Sequence, residues 1–316
     1  MLIVIGGPTG SGKSELCCLL AKKIGGEIVS ADSMCVYKGM DIGTAKPIEC
    51  MKEIKHHLVD VVEPGYVFDA KLFEELSIKA IEEISQKGKV PIVCGGTYLY
   101  LQALLYGMEN TPLPDWKLRE RLYHIAREKG KEYLYIKLKA VDPRYAERIA
   151  SADVRRVVRA LEVFINSGKP FSSFHNWDKP RMSFVGFYVS WSRESLLKKI
   201  EERAKKMLQK GLLEEIKVLM EKGFENFLTS TQAIGYKEFI PCFKGEKMVE
   251  ECLSEMVKNT KEYAKRQIRW FKKQGWIEIN MEQINSLELV VEIIEKYYLS
   301  ALSSAKLSNK SPTTDS

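Results

Sequence analysis

Apolar residues along the first third of the chain fall alternately into short runs and helical stripes. Residues 2–5, 27–31, 58–62 and 90–94 are compact apolar runs that predict buried strands. Between them, residues 13–24, 70–87 and 97–106 carry apolar positions at the 3.6-residue spacing of helices with one buried face. Strands alternating with helices predict an α/β fold built on a doubly wound parallel sheet. The Pro-rich stretch at 110–115 breaks this pattern, and residues 116–129, 143–150 and 154–166 then read as helices. An apolar run at 184–189 predicts a strand returning to the sheet. Helices at 193–222 and 247–274, a short strand at 276–279 and a helix at 287–299 complete the pattern.

The expected organisation is therefore a core of residues 1–110 and 181–300, interrupted by a helical insertion over 111–180. The Ser-, Lys- and Thr-rich tail, 301–316, holds few large apolar residues and is expected to be disordered. No run of about 18 apolar residues is present, so no membrane span is expected. Seven cysteines form no C-x-x-C pair and no His/Cys cluster at metal-ligand spacing, and their odd number argues for free thiols in a reducing cytoplasm.

The net charge of +7 is concentrated. Residues 255–274 carry seven basic side chains against two acidic ones, with Lys261, Lys265, Arg269 and Lys273 recurring every fourth residue. That stripe can be a solvated face, but Tyr263, Trp270 and Phe271 interleave with it, a combination suited to nucleic acid.

The first strand and helix flank Gly7-Pro8-Thr9-Gly10-Ser11-Gly12-Lys13-Ser14, which fits the phosphate-cradling pattern G-x-x-x-x-G-K-[ST]. Glycines let the backbone curl so that several N–H groups meet one anion at a helix N-terminus. Lys13 supplies a point charge and Ser14 a hydroxyl for Mg²⁺. The fold class is thus P-loop NTPase-like, a doubly wound parallel sheet with a helical insertion domain. Cleavage of a signal peptide would remove this loop, so none is expected. Asp32 and Asp60 are the acids near ends of the second and third strand candidates, and Asp32 is the one placed beside the cradle. It can hold Mg²⁺ through water or act as a general base.

The segment from Asp32-Ser33-Met34-Cys35 to Thr44-Ala45-Lys46-Pro47 resembles the signature of the tRNA dimethylallyltransferases, also called tRNA isopentenyltransferases. The resemblance continues at His56-His57-Leu58, Gly95-Gly96-Thr97-Tyr98, Asp153-Val154-Arg155-Arg156, Gln232-Ala233-Ile234-Gly235-Tyr236-Lys237 and Lys265-Arg266-Gln267, in family order over about residues 3–280. It implies transfer of a dimethylallyl group from dimethylallyl diphosphate to N6 of adenosine 37 in tRNA, with Mg²⁺ and without ATP hydrolysis. It further implies that Asp32 is the base, that Thr9, Lys13 and Arg203 stabilise the departing diphosphate, and that the adenosine is extruded into a channel. Asp32, Ser33, Met34, Cys35 and Thr97 would then meet the acceptor. Arg155, Arg156, Arg159, Gln232, Gly235, Tyr236, Lys237, Lys265, Arg266 and Arg269 would contact the anticodon stem-loop. The protein would work as a monomer. Thr97 also fits a plain helix N-cap. A small-molecule kinase, an enzyme prenylating free adenine nucleotides, and an RNA-binding nucleotide switch are the competing readings of the same cradle.

Overall fold

The computed structural model describes residues 1–108, 111–174, 179–284 and 286–308, with side chains as far as Ala305. Six parallel strands form one sheet: β1 (Leu2–Gly6), β2 (Gly26–Ser30), β3 (His56–His57), β4 (Val90–Gly95), β5 (Phe184–Ser190) and β6 (Ile277–Asn280), in the order β3-β2-β4-β1-β5-β6. β1 lies between β4 and β5, with Ile5 opposite Cys94 and Phe187. All five of its residues are buried, as its unbroken apolar run requires.

The helices are α1 (Lys13–Ile24), α2 (Ile48–Met51), α3 (Ala70–Gln86), α4 (Tyr98–Tyr106), α5 (Trp116–Lys129), α6 (Lys131–Val141), α7 (Pro143–Ala146), α8 (Val154–Ser167), α9 (Arg193–Gln209), α10 (Leu212–Glu221), α11 (Ile240–Phe243), α12 (Val249–Phe271) and α13 (Leu287–Ser308). One sheet face, carrying Ile3, Ile5, Ile28, Ile92 and Phe187, packs with Leu16 and Leu20 of α1 and Val290 and Ile294 of α13. α3 packs on β2 and β4. Residues 1–105 and 182–316 form one compact unit, and 106–181 a second. The second unit has its own core, in which Leu122, Leu134, Leu138, Val158 and Leu161 pack together. Arg119 and Arg159 both bond Glu162 there, and Glu162 also accepts the Asp115 N–H. Burial acts to raise the Glu162 pKa, but these donors outweigh it and hold the carboxyl below its usual range.

Several expectations need correction. The third strand is His56–His57 rather than 58–62, because Leu58 (φ 62°) and Asp60 (φ 54°) turn left-handed. Asp60 instead pairs with Lys46, which also holds Asp41 and the Tyr37 carbonyl. A helix over Lys131–Val141 was not anticipated, and the one expected at 143–150 is a single turn. The helix expected over 193–222 is two, parted where Gly211 adopts φ 95°. The last helix runs to Ser308 instead of ending at 299, since Leu302 continues the stripe of Ile294 and Tyr298 against the core. That order replaces the expected disorder over 301–308, and residues 309–316 lie outside the described residues. Cys18 and Cys50 form a disulfide, whereas all seven thiols were expected free. Chain proximity between α1 and α2 overrides what the odd cysteine count suggested. No described helix is long and apolar enough to cross a membrane.

Candidate active site

Several helix starts in this chain are closed by side chains. Asp69, Asp115, Asp153 and Ser192 each accept backbone N–H groups at the first turns of α3, α5, α8 and α9. α1 is different. Its N-cap is Gly12, at φ 84°, with no side-chain bond, so its first N–H groups remain available to an anion. Gly7 and Gly10, also at positive φ, curl residues 7–12 around this terminus. Trp191 anchors the curl from β5's end through its indole N–H to the Ser11 carbonyl, at 2.9 Å.

Around the curl, one narrow cavity gathers Thr9, Lys13, Ser14, Asp32, Cys35, Thr44, Cys94 and Arg203. These residues come from the ends of β1, β2 and β4 and from α9, which is the carboxyl edge where parallel sheets bind ligands. Lys13 Nζ donates to the Pro8 carbonyl at 3.2 Å. The Arg203 guanidinium reaches Thr9 Oγ1 and the Thr44 carbonyl, each at 3.5 Å. Neither cation has an ion-paired carboxylate among the described residues. Burial lowers the pKa of Lys13, with Cys94 and Asp32 acting in the opposite direction. Burial likewise lowers that of Arg203, against Asp32 and Cys35. Two desolvated cations facing one cavity form a built anion site.

Asp32 begins the loop after β2. Its Oδ1 accepts the Met34 N–H at 2.9 Å, which fixes the carboxylate. Thr97 stands beside it, accepting the Ser33 N–H at 3.0 Å, with the Tyr263 phenol close by. Burial, with Asp32 nearby, pushes that phenol's pKa well up. Gly95 and Gly96 permit this closeness. A Cβ on Gly95 would lie 2.2 Å from the Ala31 carbonyl oxygen, and one on Gly96 would lie 2.3 Å from Gln267 Nε2.

Gln267 went unremarked as a site residue in the sequence. It is 1% exposed on α12. Its Oε1 accepts the Thr9 N–H at 2.9 Å and its Nε2 donates to the Gly96 carbonyl at 2.8 Å. One amide thus clamps the phosphate loop to the loop after β4. The basic stretch containing it was the available signal, but nothing in the spacing marked the glutamine.

Other expected contacts divide. Arg155 and Arg156 are exposed, although Arg156 pairs with Asp153. Arg159 is spent on Glu162, Thr111 and the Pro112 carbonyl, so its place is structural. Gln232 and Lys237 reach the surface, while Gly235 is buried and donates to Glu238. Tyr236 is fully buried, with its hydroxyl on Glu215, which also accepts the N–H groups of Asp41, Ile42 and Gly43. It props the loop beside the cavity and is not a surface contact. Cys35 is buried in the cavity wall, and burial raises its thiol pKa. On α12, Lys261 pairs with Glu201 and Lys265 with Glu262, leaving Arg266 and Arg269 exposed, as is Lys273 just beyond the helix. Lys265 is therefore already engaged within its own helix.

The IPP transferase family profile matches residues 35–274. The chain is 64% identical over 296 residues to a tRNA dimethylallyltransferase of Aquifex aeolicus, covering 94% of this chain and 97% of that one. It is 53% identical over 272 residues to one of Hydrogenobaculum sp., covering 86% and 91%. Among solved structures it resembles the tRNA isopentenylpyrophosphate transferase of Bacillus halodurans, at 33% identity and TM-score 0.71 over 98% of this chain and 99% of that one. It also resembles a eukaryotic dimethylallyltransferase acting on tRNA, at 32% identity and TM-score 0.77 over 99% and 81%.

Proposed function

The chain belongs to the IPP transferase family, and from that premise we propose that it transfers a dimethylallyl group from dimethylallyl diphosphate to N6 of adenosine 37 in tRNA, releasing diphosphate. The observation that carries this reading is the joining of two functions in one cavity: the anion site of Lys13, Arg203 and the α1 terminus, and the fixed carboxylate of Asp32.

In the reaction the allylic C1–O bond breaks and the N6–C1 bond forms. Charge builds on the leaving diphosphate, where Lys13, Arg203, Thr9 and the N–H groups of residues 7–14 offset it. An adenine amino group is a weak nucleophile because its lone pair is delocalised. Asp32 takes the N6 proton as the carbon is attacked. Thr97, with Ser33 and Met34, shapes the acceptor side. Ser14 Oγ and the Asp32 carboxylate are hard oxygen donors on the same cavity and fit Mg²⁺, which when bound would help to hold the diphosphate. Residues 106–181 form the tRNA-holding unit, in which Arg155 and Arg156 meet phosphates of the anticodon stem-loop. Arg266 and Arg269 of α12, with Gln232 and Lys237, supply further contacts. The protein acts as a monomer in the cytoplasm.

Labelled dimethylallyl diphosphate, Mg²⁺ and unmodified tRNA test this, with AMP and ATP as parallel acceptors. Label released from tRNA as N6-dimethylallyladenosine is the expected result. Label in AMP or ATP would move the chain to free-nucleotide prenylation, and consumption of ATP without transfer would overturn the reading.

A further inference from the structure

Cys18 lies on α1, 32 positions before Cys50 on α2, and His56 lies on β3, and one ligand atom from each falls within 4.8 Å of the others. His56 Nδ1 is 2.8 Å from the Ile54 carbonyl oxygen. A carbonyl only accepts, so the ring proton sits on Nδ1, and Nε2 carries the lone pair of a neutral imidazole. This is the arrangement by which proteins orient a histidine toward a metal, the other ring nitrogen being tied to a carbonyl. The cysteines border the cleft beside the phosphate loop, which gives solvent access. The set is two sulfurs and one imidazole nitrogen, suited to Zn²⁺ and not to Mg²⁺.

We propose that Cys18, Cys50 and His56 form a redox-gated site for one thiophilic divalent cation, in which metal replaces the Cys18–Cys50 disulfide as the tie between α1 and α2. A dithiol reductant breaks the Sγ–Sγ bond, delivering two electrons and two protons and closing its own disulfide. The cation then displaces both thiol protons, forming two metal–sulfur bonds and one bond to His56 Nε2, with water completing a tetrahedral set. The tie thereby persists in either redox state, and α1, which bears the phosphate loop, stays fastened to the segment beyond residue 47 in a reducing compartment as well. The inference uses none of the groups assigned to prenyl transfer and stands whether or not that reading holds.

The full chain is reduced with dithiothreitol, freed of it anaerobically, and titrated with Co²⁺ while thiolate-to-cobalt charge-transfer absorption is followed. One equivalent should saturate the band, Zn²⁺ should abolish it, and the oxidised chain should show none. Cys50→Ser should lose the band. His56→Gln should still form the disulfide, leaving five free thiols as in the parent, but bind Co²⁺ at least tenfold more weakly. No band in the reduced chain, or a band undiminished in either variant, would overturn the proposal.

Discussion

Two groups of half-buried cations teach different lessons. In the helical unit, Arg119 and Arg159 close on Glu162, whose side chain is fully buried, so both cations share a carboxylate supplied by the fold. In the cavity, Lys13 and Arg203 are desolvated without a paired carboxylate among the described residues, and their hydrogen bonds go to carbonyls and a hydroxyl. The first group stabilises the chain. The second costs stability and supplies binding power for an incoming anion.

That contrast is open to attack from both sides. Glu162→Gln leaves two half-buried guanidinium groups without their counter-charge and should destabilise the helical unit by about 3–5 kcal/mol, measured by denaturant unfolding. It should also remove a pH dependence. The Glu162 carboxyl is held below its usual range, so its contribution is complete above the unfolded value of about 4.3 and is lost as pH falls through the folded one. The variant's acid unfolding should therefore begin from a flatter baseline. Arg203→Met and Lys13→Met should behave in reverse. Each should reduce turnover by roughly 10²–10³-fold, about 2.7–4 kcal/mol, while thermal stability holds or rises. A fall in melting temperature comparable to that of Glu162→Gln would erase the distinction between the two groups.

Gln267→Leu is a finer probe. It strands the Thr9 N–H and Gly96 carbonyl, at a cost of about 1–3 kcal/mol. As a positioning residue, Gln267 should act chiefly on kcat, with KM for tRNA little changed, and Gln267→Glu should restore only the Thr9 contact. Equal losses in kcat and tRNA affinity would instead place it among the RNA contacts.

What could be read in advance follows the range of the interactions. The phosphate loop was legible because its glycines, Lys13 and Ser14 act within one turn of chain. Asp32 was legible because it follows a clear strand. Arg203 needed the family resemblance, since a lone arginine on an amphipathic helix carries no mark. Gln267 was hidden because its partners lie 258 and 171 positions away. Cys18 was hidden in the same way, 32 positions from Cys50 and brought to Cys50 and His56 by the fold. Tyr236 misled in the other direction: a tyrosine in a polar segment reads as surface, yet Gly43 leaves room for its ring, and Glu215 takes its hydroxyl. Residues 58–62 misled because a short apolar run suits a buried strand, whereas the Lys46 contact with Asp60 accompanies a left-handed bend.

The place of β1 in the sheet also bears on how the chain is made. β1 leaves the ribosome well before its neighbour β5, which begins only at Phe184. At 5–20 residues per second, the nascent chain carries β1 with one flank unpaired for about ten to thirty-five seconds. For that interval an entirely apolar strand is a sticky edge, the kind that recruits other chains. The intervening residues 106–181 need no help from it, because they close around their own core as they emerge. Synthesis therefore delivers a self-contained helical unit while the catalytic sheet is still half built, and holding chaperones have their natural target in β1 until residue 190 is released.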